Sequence, residues 1–377
     1  MIVAGEASGD LHGAKLVTSL REELAPFHVT FLGCAGPRMR EAGVEAVVEA
    51  DSLAIVGLPE IARALPVFLK AFGALKRSAR DRRPDVVILV DFPEFNLKLA
   101  RSLKRSGCRV VYYISPQLWA WRKYRIRTIR NYVDLLITIL PFEKAWYSKR
   151  GLDHAEFVGS PLAKEVHADT SKAAFCEEFG LNPSRPIVAL LPGSRRKEID
   201  KIFPVMLAAA SMISNERPQV QFIAALGSPA AGLHAAQLIE GSGIRLQVTL
   251  VEGRTYDALS SSDAAAVTSG TATLEAGILG TPMAIVYKTS RLNYKLMRPL
   301  ISVPHFGLIN LIAEKRIAKE LIQDDFTARS LADELSRLLE PEENQRIRGE
   351  LKAAADKLGR GGASKRAAKL ILDLASR

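Results

Sequence analysis

Cysteine is scarce in this sequence: Cys34, Cys108 and Cys176 stand far apart and in no metal-ligand spacing. A disulfide frame and a structural zinc site are therefore not expected, and a reducing compartment is. No apolar run approaches the roughly 20 residues that a membrane-spanning helix needs. The N-terminus lacks the basic stretch, apolar core and cleavage site of a signal peptide. Neither half carries the G-x-G-x-x-G fingerprint, which argues against a dinucleotide-dependent dehydrogenase. Internal repeats and low-complexity segments are missing as well.

What is present suits a globular enzyme. Of 377 residues, 48% are hydrophobic and 25% charged, which excludes a disordered or fibrous chain. That length holds two domains, each with its own core. Basic residues outnumber acidic ones by 52 to 41, a formal net charge of +11. Such an excess fits nucleic acid, an anionic membrane surface or phosphate-bearing substrates, and composition alone leaves the three open.

Apolar runs alternate with helical patterns along the chain. In the first half they fall at 2–4, 29–32, 86–90, 110–114, 135–140 and 157–158. The pattern restarts at 186–191, followed by 220–225, 246–250, 264–267 and 283–286. Continuous apolar strands between helices predict parallel sheets covered on both faces. The expected fold class is α/β, two Rossmann-like doubly wound domains facing a cleft. The first is expected over 1–165 and the second over 166–340, with polar helices at 341–377 that can pack back on the first. Ligands of open parallel sheets gather beyond the carboxyl ends of the strands, so the residues just after each strand matter most.

Gly5-Glu6-Ala7-Ser8-Gly9-Asp10 follows the first strand and leads into a helix carrying His12 and Gly13. Glycines let the backbone approach a ligand and a helix start favours anions, although a plain strand-to-helix turn reads equally well. Asp91 follows the run 86–90, with Glu94 close behind. Either carboxylate suits a general base, although an isolated aspartate at a strand end is more often a helix cap. The stretch from Tyr112 to Arg122 interleaves aromatics with bases and continues into Lys123, Arg125, Arg127 and Arg130. It could stack nucleobases, or wall a cleft that grips a sugar and a phosphate. Core packing accounts for its aromatics and leaves its arginines unexplained.

In the second half, Leu191-Pro192-Gly193-Ser194-Arg195 closes a strand, and its amides and guanidinium suit a diphosphate. Glu198 is also placed to cap the following helix. Thr268-Ser269-Gly270-Thr271-Ala272-Thr273-Leu274-Glu275 opens another helix. Hydroxyls and amides there suit phosphate, and Glu275, one turn in, can accept hydrogen bonds from ribose hydroxyls. Ordinary capping would need one hydroxyl, not three. Within 59–83, Leu65, Phe68, Leu69, Phe72 and Leu75 fall on one helical face, with Lys70, Arg77 and Arg80 off it. Such a stripe is commonly core, but the basic flank and large aromatics also describe a helix lying on a membrane surface. Pro66 is expected to begin or kink this helix.

Six segments, in order along the chain, resemble the lipid-A-disaccharide synthase family, bacterial glycosyltransferases of the two-domain GT-B architecture. They are Gly5-Glu6-Ala7-Ser8-Gly9-Asp10, Asp91-Phe92-Pro93-Glu94-Phe95-Asn96, Ser115-Pro116-Gln117-Leu118-Trp119-Ala120-Trp121-Arg122, Leu140-Pro141-Phe142-Glu143-Lys144, Leu191-Pro192-Gly193-Ser194-Arg195 and Ser269-Gly270-Thr271-Ala272-Thr273-Leu274-Glu275. The resemblance implies transfer of 2,3-diacylglucosamine from UDP to the 6-hydroxyl of diacylglucosamine 1-phosphate, with inversion, giving the lipid A disaccharide 1-phosphate and UDP. It implies Asp91 as general base, and Gly9, His12, Arg195, Ser269, Gly270, Thr271, Glu275 and Asn310 as substrate and UDP contacts. The family tends to put proline just before that asparagine, where this chain has Ile309.

The same resemblance implies a cytoplasmic protein, peripheral on the inner face of the inner membrane, touching it through Leu65, Phe68, Leu69 and Phe72. It implies no cofactor, no metal and no nucleic acid, and leaves monomer and homodimer open. No Asp-x-Asp pair stands where metal-using glycosyltransferases need one; Asp324-Asp325 lies past the last expected strand. The alternatives are another UDP-sugar enzyme of this architecture, either a peptidoglycan-precursor glycosyltransferase or a UDP-sugar epimerase, and a nucleic-acid-binding protein using 112–130.

Overall fold

The computed structural model describes residues 1–53, 61–291, 294–295 and 303–376, with the backbone alone for 61–64. The chain divides into two compact units, Met1–Pro161 with Arg360–Arg377, and Leu162–Gly359.

The first unit runs β1 (Ile2–Ala4), α1 (Ala7–Leu24), β2 (Phe31–Ala35), α2 (Pro37–Glu41), β3 (Val44–Glu49), α3 (Ile61–Arg82), β4 (Val87–Val90), α4 (Pro93–Arg105), β5 (Val110–Tyr113), α5 (Ile126–Tyr132), β6 (Leu135–Thr138), α6 (Glu143–Ser148) and β7 (Ala155–Phe157). Its strands pair in parallel in the order β3-β2-β1-β4-β5-β6-β7. Every residue of β4 and β5 is buried, because helices cover both faces and no polar alternation is needed. Val3, Leu89 and Tyr112 face the core under α3 and α4, while Ile2, Ile88, Val111 and Tyr113 face the core under α1.

The second unit contains α7 (Leu162–Glu165), α8 (Lys172–Phe179), β8 (Ile187–Leu191), α9 (Arg196–Glu216), β9 (Gln221–Leu226), α10 (Pro229–Gly241), β10 (Val248–Glu252), α11 (Thr255–Ser260), β11 (Ala264–Thr268), α12 (Ala272–Ile278), β12 (Met283–Tyr287), α13 (Leu308–Ala313), β13 (Lys319–Ile322), α14 (Ala328–Leu338) and α15 (Pro341–Asp356). Its parallel sheet is ordered β10-β9-β8-β11-β12-β13. Both units are therefore doubly wound. The strand order reverses between β1 and β4 in one sheet and between β8 and β11 in the other, and ligands of such sheets bind at these switch points.

Of the stretch 341–377, only α16 (Ala363–Ala375) belongs to the first unit. Ala367, Ala368 and Ile371 join the core beside Leu16, Val17 and Leu20, and the Arg366 guanidinium donates to the Val158 carbonyl at 2.8 Å. Helix α15 stays on the second unit, where Arg348 donates to the carbonyls of Gly280 at 2.8 Å and Ser262 at 3.1 Å.

Three local expectations need correcting. Gly33 lies inside β2 instead of ending it: a Cβ there would sit 1.8 Å from the Ile2 carbonyl oxygen, so the glycine admits the close approach of β1, and the pairing of β2 with β3 shifts register at the same point. Strands β3 and β13 were not expected; both lie at sheet edges, where exposed residues interrupt the apolar run. Helix α3 contains Pro66 in its interior and does not start at it. At the sixth position of the helix the ring removes the amide that would donate to the Ala62 carbonyl, so the helix gives up one backbone hydrogen bond there.

Candidate functional site

At the first switch point, Asp91 leaves β4 with φ +44° and Phe92 follows with φ +51°. Two successive left-handed residues other than glycine store strain, and the surroundings must hold them. The Asp91 amide donates to the Tyr113 carbonyl at 3.0 Å. Its own carbonyl accepts from the Tyr112 hydroxyl at 2.6 Å and from Asn96 Nδ2 at 2.8 Å. The Phe92 ring stacks on Phe95 at 5.6 Å and Phe68 at 6.2 Å. A Cβ on Gly5 would come within 2.3 Å of that ring, which explains the glycine. The motif thus pins the backbone and leaves the Asp91 carboxyl free of ion pairs among the described residues. Burial, then the nearby Glu6 charge, push this carboxyl up to about 6, against a weaker hydrogen bond from the Phe92 amide.

Glu94 lies one turn further on and behaves oppositely. It accepts from Arg125 Nη2 at 2.8 and 2.6 Å and from Arg122 Nη1. The hydrogen bond from Arg125 leads the effects that hold its carboxyl below the usual range. Of the two carboxylates, Asp91 has the proton affinity of a general base near neutral pH and Glu94 is committed to structure.

Several motif residues prove to be internal supports. Asp10 accepts from the amides of Gly36 at 2.8 Å, Arg38 at 2.8 Å and Met39 at 3.1 Å, so it caps α2. Gly9 is buried and faces Ala4 and Val90 of the sheet, and His12 is half-buried on α1. Tyr112, Tyr113 and Trp119 are buried, which removes them as a platform for nucleobases. The Trp119 indole donates at 2.9 Å to Glu143, whose other oxygen takes the amides of Ile139 at 3.1 Å and Leu140 at 3.0 Å. Burial outweighs these donors and pushes Glu143 up to about 7.

At the second switch point, Gly193 has φ +108° and a Cβ there would meet Glu198 Oε2 at 2.7 Å. Glu198 accepts from the Arg195 amide at 3.4 Å and from its guanidinium at 3.1 Å, so it does cap the helix. The Arg195 side chain is nevertheless 81% exposed and can swing to an anion. Beyond β11, Gly270 and Thr271 are exposed at the start of α12, and their carbonyls accept the amides of Thr273 at 3.2 Å and Leu274 at 2.9 Å. Ser269 Oγ donates to the Phe306 carbonyl at 3.0 Å, and Thr273 Oγ1 donates to the Gly270 carbonyl at 2.8 Å while accepting from the Leu308 amide at 3.2 Å. These bonds shape the loop. Glu275 accepts from the Tyr256 hydroxyl at 3.0 Å, and burial raises its carboxyl above the ordinary value.

Asn310, expected to contact UDP, is held inside the second unit in the structure. It is fully buried; its Nδ2 donates to the Ala318 carbonyl at 2.8 Å and to Glu320 at 2.9 Å, and its Oδ1 accepts the amides of Ile317 and Ala318, both at 2.9 Å. A carboxamide has two donors and two lone pairs, so nothing remains for a ligand. Glu320 also takes the amides of Phe306 at 3.0 Å and Gly307 at 2.9 Å, tying Asn310 to the turn that holds Ser269. Sequence reasoning missed Glu320, Tyr256, Tyr112 and Asn96 in these roles, because each contact joins separate elements and leaves no spacing signal.

The apolar stripe divides. Leu65 is 56% and Leu69 64% exposed. Phe68 and Phe72 turn inward to Phe95, at 6.1 and 5.9 Å, and Leu75 is fully buried. Among the described residues no helix is long and apolar enough to cross a membrane, and no cluster of His, Cys, Asp or Glu could hold a metal ion.

A family model described as lipid-A-disaccharide synthetase matches residues 1–373. A lipid-A-disaccharide synthase from Geobacter sulfurreducens is 44% identical over 375 residues, covering 99% of this chain and 96% of its own. Among solved structures, MnaA of S. aureus with UDP reaches a TM-score of 0.65 at 15% identity, covering 100% of this chain and 97% of that one. A UDP-GlcNAc 2-epimerase from Neisseria meningitidis bound to UDP-GlcNAc reaches 0.63 at 14% identity, covering 99% of each chain. At such identities the two structural likenesses speak for the fold alone.

Proposed function

The chain belongs to the lipid-A-disaccharide synthetase family, and from that premise we propose that it transfers 2,3-diacylglucosamine from UDP to the 6-hydroxyl of diacylglucosamine 1-phosphate. Asp91 takes the proton from the attacking hydroxyl, the anomeric carbon–oxygen bond to the diphosphate breaks with inversion, and UDP leaves. The single observation carrying this reading is the Asp91 carboxyl: free of ion pairs among the described residues, raised to about 6, and rigidly presented at a switch point. A base must be ionised at the working pH yet hold a proton well, and this value satisfies both demands. Charge growing on the departing diphosphate is met by Arg195 and by the exposed turn of Gly270 and Thr271 that opens α12, while Glu275 takes ribose hydroxyls. Ser269, Gly270 and Thr271 shape that anion-binding turn.

Both substrates carry acyl chains, so the reaction belongs at a membrane surface. We place the contact at the exposed Leu65 and Leu69, not at Phe68 and Phe72, with the net charge of +11 favouring anionic lipid. Phe68 touches Phe92, the residue after Asp91, so the exposed helix end is continuous with the catalytic loop. Supplied with the two lipid substrates, the protein is expected to release UDP and form disaccharide. Its kcat/KM should rise with pH through about 6 as Asp91 ionises. Asp91→Asn should lower turnover by roughly 10²–10⁴-fold; wild-type rates in that variant would remove Asp91 from the mechanism.

A further inference from the structure

Two arginines converge on one carboxylate beside Asp91. Arg125 spans both oxygens of Glu94 and Arg122 takes one of them, so the group keeps one net positive charge. Arg122 Cζ lies 4.3 Å from the Trp121 ring centroid, and the residue has φ +53°. Stacking below and a carboxylate at one edge hold the guanidinium plane still, while its side chain stays 38% exposed. The segment therefore accepts backbone strain to present a fixed, half-open cation. Core packing does not explain this, since Arg125 alone ties the segment to α4 through two bonds.

The position is also informative. Glu94 is in the first turn of α4, directly after Asp91 and Phe92. In the acceptor of the proposed reaction, C1 with its phosphate and C5 with its hydroxymethyl group flank the ring oxygen. A hydroxyl presented to Asp91 thus brings a phosphate to within a ring's breadth. Guanidinium edges pair bidentately with phosphate oxygens, and Arg122 spends one donor on Glu94.

We propose that Arg122, stacked on Trp121 and steadied by Glu94, forms the subsite for the acceptor's sugar 1-phosphate, with Arg125 as its positioning partner. The assignment rests on the reaction given above and deepens it to a second binding determinant in the first unit. It accounts for arginines that aromatic packing leaves over.

The test is equilibrium binding of the full chain, with UDP present, to glucosamine 1-phosphate and to glucosamine. Arg122→Ala should weaken the phosphorylated sugar by roughly 10–100-fold, the loss of a charge-assisted pair, and leave glucosamine unchanged. Arg122→Lys should fall between, because an ammonium supplies charge without the fork. In Arg122→Ala, Glu94 keeps Arg125, so no buried carboxylate is orphaned and the unit should fold. Equal weakening of both sugars, or no weakening of either, overturns the subsite. Because binding needs no turnover, a wild type that discriminates the phosphate through Arg122 yet forms no disaccharide would count against the reaction and not against the subsite.

Discussion

Replacing Asp91 by asparagine should make the protein more stable while stopping its chemistry. Burial raises the carboxyl from 3.8 to about 6, so the folded state binds its proton more tightly than the unfolded state does. Below about 3.8 both states are protonated and the group contributes nothing to the balance. Between 3.8 and about 6 the native state holds more protons, so stability falls as pH rises; above that window the full cost of an ionised, desolvated Asp91 is present. A rise of that size corresponds to about 3 kcal/mol, and the partial exposure of this side chain reduces the cost to roughly 1–2 kcal/mol. Asparagine escapes the cost. It also tolerates φ +44°, and the hydrogen bonds from Tyr112 and Asn96 go to the backbone carbonyl, which the substitution leaves in place. All three tryptophans, Trp119, Trp121 and Trp146, lie in the first unit, so urea denaturation followed by tryptophan fluorescence reads the unit that contains Asp91. The gain of Asp91→Asn over wild type should be small at pH 4 and grow by roughly 1–2 kcal/mol by pH 8. A gain that stays flat across that range would refute the desolvation argument, and with it the reason for Asp91 being a strong base.

Asn310→Asp keeps the shape but turns two donors into acceptors facing the Ala318 carbonyl and Glu320; unfolding of the second unit, followed by far-ultraviolet circular dichroism, should show a loss of about 3 kcal/mol. An unchanged midpoint with weakened UDP binding would restore Asn310 as a ligand. Leu65→Ser with Leu69→Ser should reduce partitioning into anionic vesicles about 10-fold at an unchanged unfolding midpoint, whereas Phe68→Ala should cost about 2 kcal/mol of stability. The reverse pattern would move the stripe's outer residues into the core.

Much of the architecture was legible because the strands that carry it are central. Residues 86–90, 110–114, 186–191 and 264–267 form unbroken apolar runs in sheets covered on both faces, so the residues that follow them could be read as loop. Edge strands gave a weaker signal: Val44–Glu49 carries Glu45 and Glu49 on its exposed side, and Lys319–Ile322 has two apolar residues. Gly33 misled for a related reason. Glycine marks both the end of a strand and the close approach of another, and only the partner strand decides which. The helical stripe was similarly half legible: periodicity finds the face that joins Leu65 to Leu75, but not where along that face the body of the unit ends.

The site residues separate by a criterion that sequence cannot supply, namely how much of each group's hydrogen-bonding capacity the fold consumes. Asp10, Glu143 and Asn310 stand in segments that resemble a family of enzymes or were assigned through it, yet the fold occupies each one: three amides on Asp10, two amides and an indole on Glu143, four bonds on Asn310. Asp91, Arg195 and Glu275 differ. All three follow central strands: among the described residues Arg195 pairs with its own helix's Glu198, and Glu275 accepts from Tyr256 with its carboxyl raised by burial. Asp91 and Glu275 carry a desolvation cost that a bound substrate can offset, whereas Arg195, 81% exposed, can reach an anion without one. By the same accounting, Arg122 belongs with the second group: Glu94 takes one of its donors, Trp121 covers one face of its plane, and the remaining edge is open.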